Sequence, residues 1–298
     1  MLSQTCEIIV DPITKKSLKF LIEKTSGKHV TNGKLVSESG TQYYIENGIA
    51  NLVPTKEDIK ITSDLLSAWE ELQKNGLEVY GKFPEFNCSI TGRKETLLFK
   101  KFCSFRGRVL DVGCGPIIPG YLQDNQNIEL AIGIDPLISF QNGELRENID
   151  LIRAMGEFLP FKERTFDIVS FATSFDHVIE PEKVLKESIR VLQDDGLISF
   201  WIESDPQQLS VIERAKRKAK RTILNTISQN TKRKMVDMKK QAQIANSMHI
   251  PQGAIDPFHL RHYQYSQFNE LCESLNLRKV EEEKVESIKS VFVKYQMR

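Results

Sequence analysis

Acids and glycines that follow apolar strand patterns are the first candidates for chemistry. A short apolar run that follows Arg108 leads into Asp111, Gly113 and Gly115. Glycines at the carboxyl end of a strand let the backbone approach a ligand closely. Asp135 ends the next apolar run, 24 residues after Asp111, where an acid can accept hydrogen bonds from ribose hydroxyls. The same pattern also fits a dinucleotide-binding fold or a turn that binds nothing.

Histidines supply the candidates for proton transfer, because imidazole normally titrates near neutral pH. Asp176 and His177 follow a strand-like run, and His259 and His262 stand three residues apart further along. No third ligand at suitable spacing accompanies that pair, so we expect no metal site. Glu203, at the end of another strand pattern, is a further candidate to face the molecule that accepts the reaction. Each histidine has an alternative role as a helix-capping or packing residue.

The elements that must position these residues alternate between strand and helix patterns. Strand-like runs occur at 109–112, 131–134, 149–152, 166–171 and 197–202. A helix pattern at 181–192 is followed by Asp194-Asp195-Gly196, which predicts its end. A last helix at 266–275 and two strands at 277–284 and 290–295 complete the chain. The alternation predicts a parallel sheet covered by helices on both faces.

The N-terminal part has a different character. Strand-like runs at 18–22, 29–36 and 41–45 are separated by strong turn signals such as Asn32-Gly33 and Asn47-Gly48. Residues 55–105 are mostly helical, with Ser63 as a candidate N-cap before an apolar stripe and a second helix at 91–102. We therefore expect a β-rich domain at 1–56, a helical linker or cap at 57–105, and an α/β domain at 106–298 with an insert at 205–262.

Composition excludes several classes of protein. The 298 residues are 40% hydrophobic and 27% charged, which rules out a disordered chain, a collagen or a disulfide scaffold. The five cysteines are scattered without a CxxC pair, as is typical of reduced thiols, and we expect a cytoplasmic protein. The N-terminus lacks the pattern of a signal peptide, and the apolar runs are too short for a membrane span.

Charge is balanced overall but clustered in one place. Lys+Arg number 41 and Asp+Glu 40, yet residues 213–240 carry eleven cations against two acids. This insert is either a solvated helical hairpin over a pocket or a surface that attracts an anionic ligand. The lack of aromatic residues for base stacking at 205–250, together with the balanced total charge, disfavours a nucleic-acid ligand.

Five stretches in order resemble the class I S-adenosylmethionine-dependent methyltransferases of the type 11 group. They are LDVGCG at 110–115, GIDP at 133–136, GEFLPF at 156–161, FDIVSF at 166–171 and DHVIEPEKVL at 176–185. The resemblance implies a doubly wound, seven-stranded Rossmann-like sheet with its last pair antiparallel, preceded by the small β-rich domain. It also implies S-adenosylmethionine as cofactor and S-adenosylhomocysteine as product.

The resemblance further implies a set of cofactor-binding residues. In chain order they are Asp111, Gly113, Cys114 and Gly115 at the methionine part, Asp135 at the ribose, Pro136, Met155, Gly156 and Glu157 around the adenine, and Thr173 and Ser174 at the active end. Two positions depart from the family pattern. Ile117 replaces a third glycine, and Met155 replaces the acid that binds the adenine amino group. Both departures keep open a non-catalytic, methyltransferase-like scaffold.

The segment YYIENGIANLVP at 43–54 resembles the strand pair of Trm112-like zinc-ribbon domains. The metal cysteines of that family fall on Asp11, Thr14, Val36 and Ser39, none of which supplies a thiolate. We therefore expect a metal-free form of the domain. It serves either as a packing domain or as a module that recognises a substrate or partner.

Methyl transfer to an oxygen or nitrogen acceptor is the function that the resemblance implies. The sulfonium methyl is already activated, so the protein must mainly align the reactants and exclude water. His177 with Asp176, or the pair His259 and His262, would act as the base or bind the acceptor. The favoured acceptor is a hydroxyl of a sugar, a cell-surface glycan or a nucleotide sugar. Methylation of tRNA or rRNA is the alternative within the class, favoured by the zinc-ribbon resemblance and the basic insert.

Overall fold

A single β-sheet organises the computed structural model, which describes residues 1–59, 63–82, 94–140, 145–203 and 265–298. The strands are β1 (Lys19–Ser26), β2 (His29–Val36), β3 (Gln42–Glu46), β4 (Ile49–Asn51), β5 (Gly107–Val112), β6 (Ile128–Ile134), β7 (Ile149–Arg153), β8 (Phe166–Ala172), β9 (Leu192–Glu203), β10 (Leu277–Val285) and β11 (Ser290–Met297). The helices are α1 (Ser3–Ile8), α2 (Ser63–Lys82), α3 (Lys94–Cys103), α4 (Pro181–Val191) and α5 (Tyr265–Ser274).

The strand order is β1-β2-β3-β4-β7-β6-β5-β8-β9-β11-β10. Strands β7, β6, β5, β8 and β9 are parallel neighbours, and β11 pairs antiparallel with β9 and β10. The predicted α/β class and the antiparallel last pair are confirmed. From β5 the strands follow in chain order toward β7 on one side of the sheet, whereas β8 and β9 follow on the other side. In open α/β sheets, ligands bind outside the carboxyl ends of the strands at such a reversal of strand order.

The described sheet has eleven strands, four more than the seven expected of the α/β domain. The four N-terminal strands continue it, because β4 pairs in parallel with β7 and places Ala50 opposite Ile152. The amide of Leu52 also donates to the carbonyl of Arg153 at 2.8 Å. This pairing satisfies backbone groups that β7 would otherwise expose at an edge. The domain boundaries at 56 and 105 stay predictions.

The turn signal Asp194-Asp195-Gly196 does not form the predicted stop after a helix. Helix α4 ends at Val191, and residues 194–196 lie inside β9. They form an irregularity in the strand: Phe166 pairs with Leu192, whereas Ile168 pairs with Leu197. Extra residues on one strand of a pair make a bulge, so the polar sequence at 194–196 interrupts the ladder locally without ending the strand.

The remaining features of the fold concern its interior and its surface. Buried aliphatic and aromatic side chains pack on both faces of the sheet, as expected for a sheet covered on two sides. Cys6, Cys103, Cys114 and Cys272 are free thiols. Within the described ranges, no helix is both long enough and apolar enough to cross a membrane.

Candidate functional site

A cavity of about 310 Å³ opens where the carboxyl ends of β5, β6 and β8 meet helix α2. This volume lies in the range of small-molecule sites. The position is the one favoured by the reversal of strand order between β5 and β8. The cavity is therefore the candidate site.

The glycine turn after β5 lies at one wall of this cavity. Gly113 and Gly115 both adopt left-handed backbone conformations, with φ of +76° and +80°. Gly113 also packs against Ser174: a Cβ added to it would lie 2.8 Å from the Ser174 Oγ and closer still to the Ser174 Cβ. The Ser174 hydroxyl donates to the carbonyl of Val112 at 2.5 Å. The turn after β5 thus requires glycine both for its φ and for the approach of the loop after β8.

Asp135 joins two turns beneath the cavity. Its carboxylate accepts hydrogen bonds from the amides of Gly115 at 2.9 Å and Leu137 at 2.8 Å. The side chain lines the cavity but is only 8% exposed. Burial raises its pKa to about 6, against the opposing effect of the two amides. Since each carboxylate oxygen has two lone pairs, the group can still accept bonds from a ligand.

Asp111 has a different environment from Asp135, although it is the next-to-last residue of β5 and Asp135 directly follows β6. It is fully buried and is not among the residues that line the cavity. It accepts hydrogen bonds from the hydroxyls of Tyr121 at 2.6 Å and Ser170 at 2.5 Å. Burial raises its pKa to about 6 as well. Tyr121 does line the cavity, so Asp111 reaches a ligand only through that ring.

Cys114, between the two glycines, lines the cavity as a neutral thiol. Burial raises the pKa of its thiol well above the ordinary value, and the nearby Asp135 and Asp111 carboxylates act in the same direction. The Sγ donates to the carbonyl of Gly115 at 3.2 Å. A thiol in this environment is not a nucleophile.

The turn after β7 forms a second wall, with Met155, Gly156 and Glu157. Met155 is buried in a cluster with Phe158 and Ile179. The Glu157 carboxylate accepts from the amides of Ile179 at 2.6 Å and Glu180 at 3.3 Å. Glu157 therefore holds the start of α4, although it also borders the cavity.

The segment after β8 closes the far end. Thr173, Ser174, His177 and Val178 line the cavity there. The Nε2 of His177 lies 3.5 Å from the Oδ1 of Asp176. A carboxylate at an imidazole nitrogen orients the ring and stabilises its protonated form.

Helix α2 contributes four lining residues that the sequence analysis did not assign to the site. Trp69, Leu72, Gln73 and Gly76 repeat at helical spacing and border the cavity. Leu72 belongs to the cluster of Met155, and Trp69 packs against it. The apolar stripe and the expected helical cap were signals for such a helix, but neither indicated that it covers a ligand site.

Most of the residues predicted from the sequence to form the site meet at this cavity. Eleven of them line the cavity: Gly113, Cys114, Gly115, Asp135, Pro136, Met155, Gly156, Glu157, Thr173, Ser174 and His177. Asp111 and Asp176 adjoin this wall in sequence without lining it. His259, His262 and the insert at 205–262 lie outside the described residues, and Glu203 is the last residue of β9. In the part of the chain that the structure describes, no group of three or more His, Cys, Asp or Glu side chains could hold a metal ion.

Residues 110–200 match a family model described as a methyltransferase domain. A relative from Methanocaldococcus jannaschii is 35% identical over 98 residues, which are 32% of this chain and 36% of the relative. The ubiquinone/menaquinone biosynthesis C-methyltransferase UbiE of Campylobacter jejuni is 32% identical over 99 residues, 30% of this chain and 42% of that enzyme. The chain thus spans about two fifths of the length of these relatives.

One solved structure shows a similar fold over most of the chain. The 1,6-didemethyltoxoflavin-N1-methyltransferase of Burkholderia thailandensis, solved with 1,6-didemethyltoxoflavin and S-adenosylhomocysteine, superposes with a TM-score of 0.52 over 90% of this chain and 96% of that one, at 10% identity. Residues 110–200, which match the family model, extend from β5 to β9 and include most of the residues that line the cavity. The family model thus identifies residues 110–200 as a methyltransferase domain, and the solved structure, which binds S-adenosylhomocysteine, shares the fold of this chain.

Proposed function

We propose that this chain transfers a methyl group from S-adenosylmethionine to an oxygen or nitrogen acceptor. One observation carries the proposal. Within the residues that match a methyltransferase domain, the glycine turn after β5 and the buried carboxylate of Asp135 meet at a small-molecule cavity. The curated relatives support the reaction class, and the cavity supplies the place for it.

The residues around the cavity suit the cofactor. Gly113 and Gly115 leave backbone without side chains at the wall, which suits the methionine part. Asp135 keeps lone pairs for ribose hydroxyls. Leu137 and Met155 provide apolar surface for the adenine. When bound, the cofactor supplies a methyl group activated by a positively charged sulfur.

The protein's own task is then alignment, exclusion of water and proton removal. Helix α2 places Trp69 and Leu72 over the cavity, which restricts the access of water. His177 borders the end of the cavity formed after β8, so its imidazole is our candidate to take the proton of an acceptor hydroxyl or amine. Asp176, 3.5 Å from the His177 Nε2, would stabilise the imidazolium that results.

The two departures from the family pattern are compatible with binding. Ile117 lines the cavity, so a side chain there occupies space that a third glycine would leave open. Met155 offers no carboxylate, but its buried thioether can pack against a base. We expect affinity to depend on Asp135 and on backbone groups. A scaffold that binds no cofactor is the contrary outcome.

The acceptor that the sequence resemblance favours is a hydroxyl of a glycan or nucleotide sugar. The C-methyltransferase name of the relative in Campylobacter jejuni makes a quinone precursor the second candidate, and there the methyl group would go to carbon instead of oxygen or nitrogen. The apolar wall made by Trp69 and Leu72 favours an acceptor with a flat apolar part. Incubation with S-adenosylmethionine and each acceptor class, followed by measurement of S-adenosylhomocysteine release, decides between them. With tRNA as acceptor, a steep loss of binding as salt is raised would favour RNA methylation instead.

The N-terminal strands, in our proposal, are a metal-free form of the Trm112-like domain. Asp11 and Thr14 stand at the first two positions of the family's metal cysteines. The Asp11 Oδ1 accepts hydrogen bonds from the Thr14 amide at 2.7 Å and the Thr14 hydroxyl at 3.0 Å, and its Oδ2 accepts one from the Tyr43 hydroxyl at 3.1 Å. In the turn at the other two positions, 36 and 39, the hydroxyls of Ser37 and Ser39 lie 2.8 Å apart. Hydrogen bonds thus hold the two turns. We also propose that the protein works in the cytoplasm, as its free thiols suggest.

Calorimetric titration with S-adenosylmethionine and S-adenosylhomocysteine tests the cofactor proposal. The variant Asp135→Ala should weaken binding by at least about tenfold, because the carboxylate's hydrogen bonds to the ribose are lost. Asp194→Ala is the matched control, since that aspartate is 79% exposed and lies away from the cavity. Absence of binding by the folded wild type would support the scaffold alternative.

A further inference from the structure

The two edge strands of the sheet expose different kinds of side chain. At one edge, β10 carries three acids in a row, Glu281, Glu282 and Glu283, and such charges keep an edge strand from pairing with another chain. At the other edge lies β1, which pairs with β2 alone among the described strands. On this strand Leu21 and Ile22 are 43% and 55% exposed. The β1 edge therefore presents apolar side chains beside backbone groups that a further strand can bond.

Rows of side chains on both faces of the sheet run out to β1 and stop there. On the core face, Phe20 packs against the main hydrophobic cluster, and Ile22 follows two positions later on the same face. On the outer face, Leu21 is in register with Lys34 of β2, which in turn is in register with Tyr44 of β3. The Lys34 ammonium lies 5.5 Å from the centroid of the Tyr44 ring. A strand added beside β1 would continue both rows and cover Leu21 and Ile22.

The residues of β1 are complementary to a second copy of the same strand. Lys19 and Glu23 stand at the two ends of an apolar stretch of three residues. When two identical strands pair antiparallel about a two-fold axis, one residue lies opposite its own copy. With that axis at Leu21, Lys19 of each copy lies opposite Glu23 of the other, and Phe20 lies opposite Ile22. An axis at Ile22 would instead place Leu21 opposite Glu23, so the complementary pairing is the one about Leu21.

We propose that two copies of this chain form a symmetric dimer through antiparallel pairing of their β1 strands, centred on Leu21. The pairing of β1 with β2 is regular from Lys19 to Ile22 and irregular beyond it, so the contact uses the regular part of the strand and ends at Glu23. Within the described part of the chain, neither Lys19 nor Glu23 has an ion-pair partner, so both charges are available to a second copy. The contact does not depend on the proposed function, since β1 contributes no residue to the cavity wall.

The concentration dependence of the molecular mass tests for the dimer. The paired segment is short, so the buried area lies at the low end for specific interfaces and the dimer should be weak and reversible. Sedimentation velocity of the wild type between about 1 and 100 μM should show a shift from monomer to dimer, with a Kd on the order of 10 μM. A wild type that stays monomeric at the highest concentration would overturn the proposal.

Exchange of the two charges tests the surface. Lys19→Glu or Glu23→Lys alone places like charges opposite each other at two points of the dimer, so each should weaken it by about tenfold or more. An equimolar mixture of these two variants should form a heterodimer with a Kd within about threefold of the wild-type value, because every facing pair is again of opposite charge. The double variant Lys19→Glu/Glu23→Lys should recover self-association for the same reason.

Matched controls make the same charge changes at the other edge of the sheet. Lys284→Glu and Glu283→Lys, at exposed positions of β10, should leave the dimer Kd unchanged. All four single variants replace exposed side chains, so their unfolding midpoints should stay within about 2 °C of the wild type. Dimerisation that is insensitive to the β1 variants, or equally sensitive to those on β10, would show that another surface is used and would overturn the proposal.

Disulfide cross-linking tests the register. In a dimer centred on Leu21, the two copies of this residue face each other with Cα atoms about 4.5–5.5 Å apart, within reach of a disulfide. The two copies of Ile22 would be offset by two residues, with Cα atoms roughly 8 Å apart, which is too far. Mild oxidation should therefore yield a covalent dimer of Leu21→Cys, but not of Ile22→Cys or of the wild type with its own cysteines. Cross-linking of Ile22→Cys in place of Leu21→Cys would overturn the proposed register.

Discussion

Replacing Gly113 by alanine should destabilise the protein through two separate costs. The first is conformational, since an alanine at φ +76° costs about 1–2 kcal/mol. The second is steric, because the new Cβ would lie 2.8 Å from the Ser174 Oγ and closer to its Cβ. Ser174 cannot simply rotate away, as it is bonded to the carbonyl of Val112. Overpacking of this kind costs about 1–3 kcal/mol, so the free energy of unfolding should fall by about 2–5 kcal/mol.

Gly27 provides a control that carries only the first cost. It has φ +55°, and a Cβ added there would meet nothing within 4 Å. Gly27→Ala should therefore lower the free energy of unfolding by about 1–2 kcal/mol. Urea unfolding with a common m-value measures both variants. The difference between them, about 1–3 kcal/mol, is the cost of the clash with Ser174.

A second substitution shows whether the clash is the cause. Ser174→Gly added to Gly113→Ala removes the side chain that the new Cβ meets, so the double variant should recover the steric part of the loss. Calorimetry should also show weaker binding of S-adenosylhomocysteine by Gly113→Ala, because the turns at Gly113 and Ser174 would move apart at the cavity wall. Equal destabilisation by Gly27→Ala and Gly113→Ala would refute the close approach.

Two other predictions concern buried charge. Lys15→Met should lower the free energy of unfolding by about 1–3 kcal/mol in thermal or urea unfolding, because it removes the ammonium 2.5 Å from the largely buried Glu187, which then keeps its pair with Arg190 alone among its two cations. Lys16→Met, which removes an exposed pair with Glu38, should change it by less than about 1 kcal/mol, and equal losses would contradict the argument. Asp111 has its pKa raised to about 6 from 3.8 by burial, so the native state holds its proton more tightly and its contribution to stability falls as pH rises from about 4 to 6. Asp111→Asn should remove up to about 3 kcal/mol of that decline, and parallel stability–pH curves for the two proteins would count against it.

Sequence patterns predicted the helices and strands of this fold better than the contacts between them. The runs that became β5, β6 and β8 were predicted to within three residues. The addition of β4 to β7 was not, because a pairing between residues about 100 positions apart leaves no local periodicity. Helix α2 was predicted from its apolar stripe, but such a stripe shows only that one face of the helix packs against another element, not which element that is.

The two acids near strand ends show the same limit at the site. Asp111 and Asp135 both follow apolar runs, although a glycine turn comes after the first and Pro136 after the second. Their different positions arise from Tyr121 and Ser170, whose hydroxyls bond Asp111 beneath the wall. Asp135 bonds backbone amides instead and stays at the cavity. Tyr121 lies in a loop with no recognisable pattern, so no signal in the sequence could separate the two acids.

The wall formed by residues 155–157 depends on contacts from the first 54 residues. On one side β4 pairs with β7, whose last residue, Arg153, precedes this wall by two positions. On the other side the amide of Val10 donates to the carbonyl of Pro160, and the amide of Lys162 donates to the carbonyl of Ile8, both at 2.9 Å. Since the contacts that flank the wall on both sides come from the first 54 residues, a substitution in β4 or near Val10 can alter the cavity without touching it. Its effect on ligand affinity therefore has to be measured alongside its effect on stability, because one set of hydrogen bonds serves both.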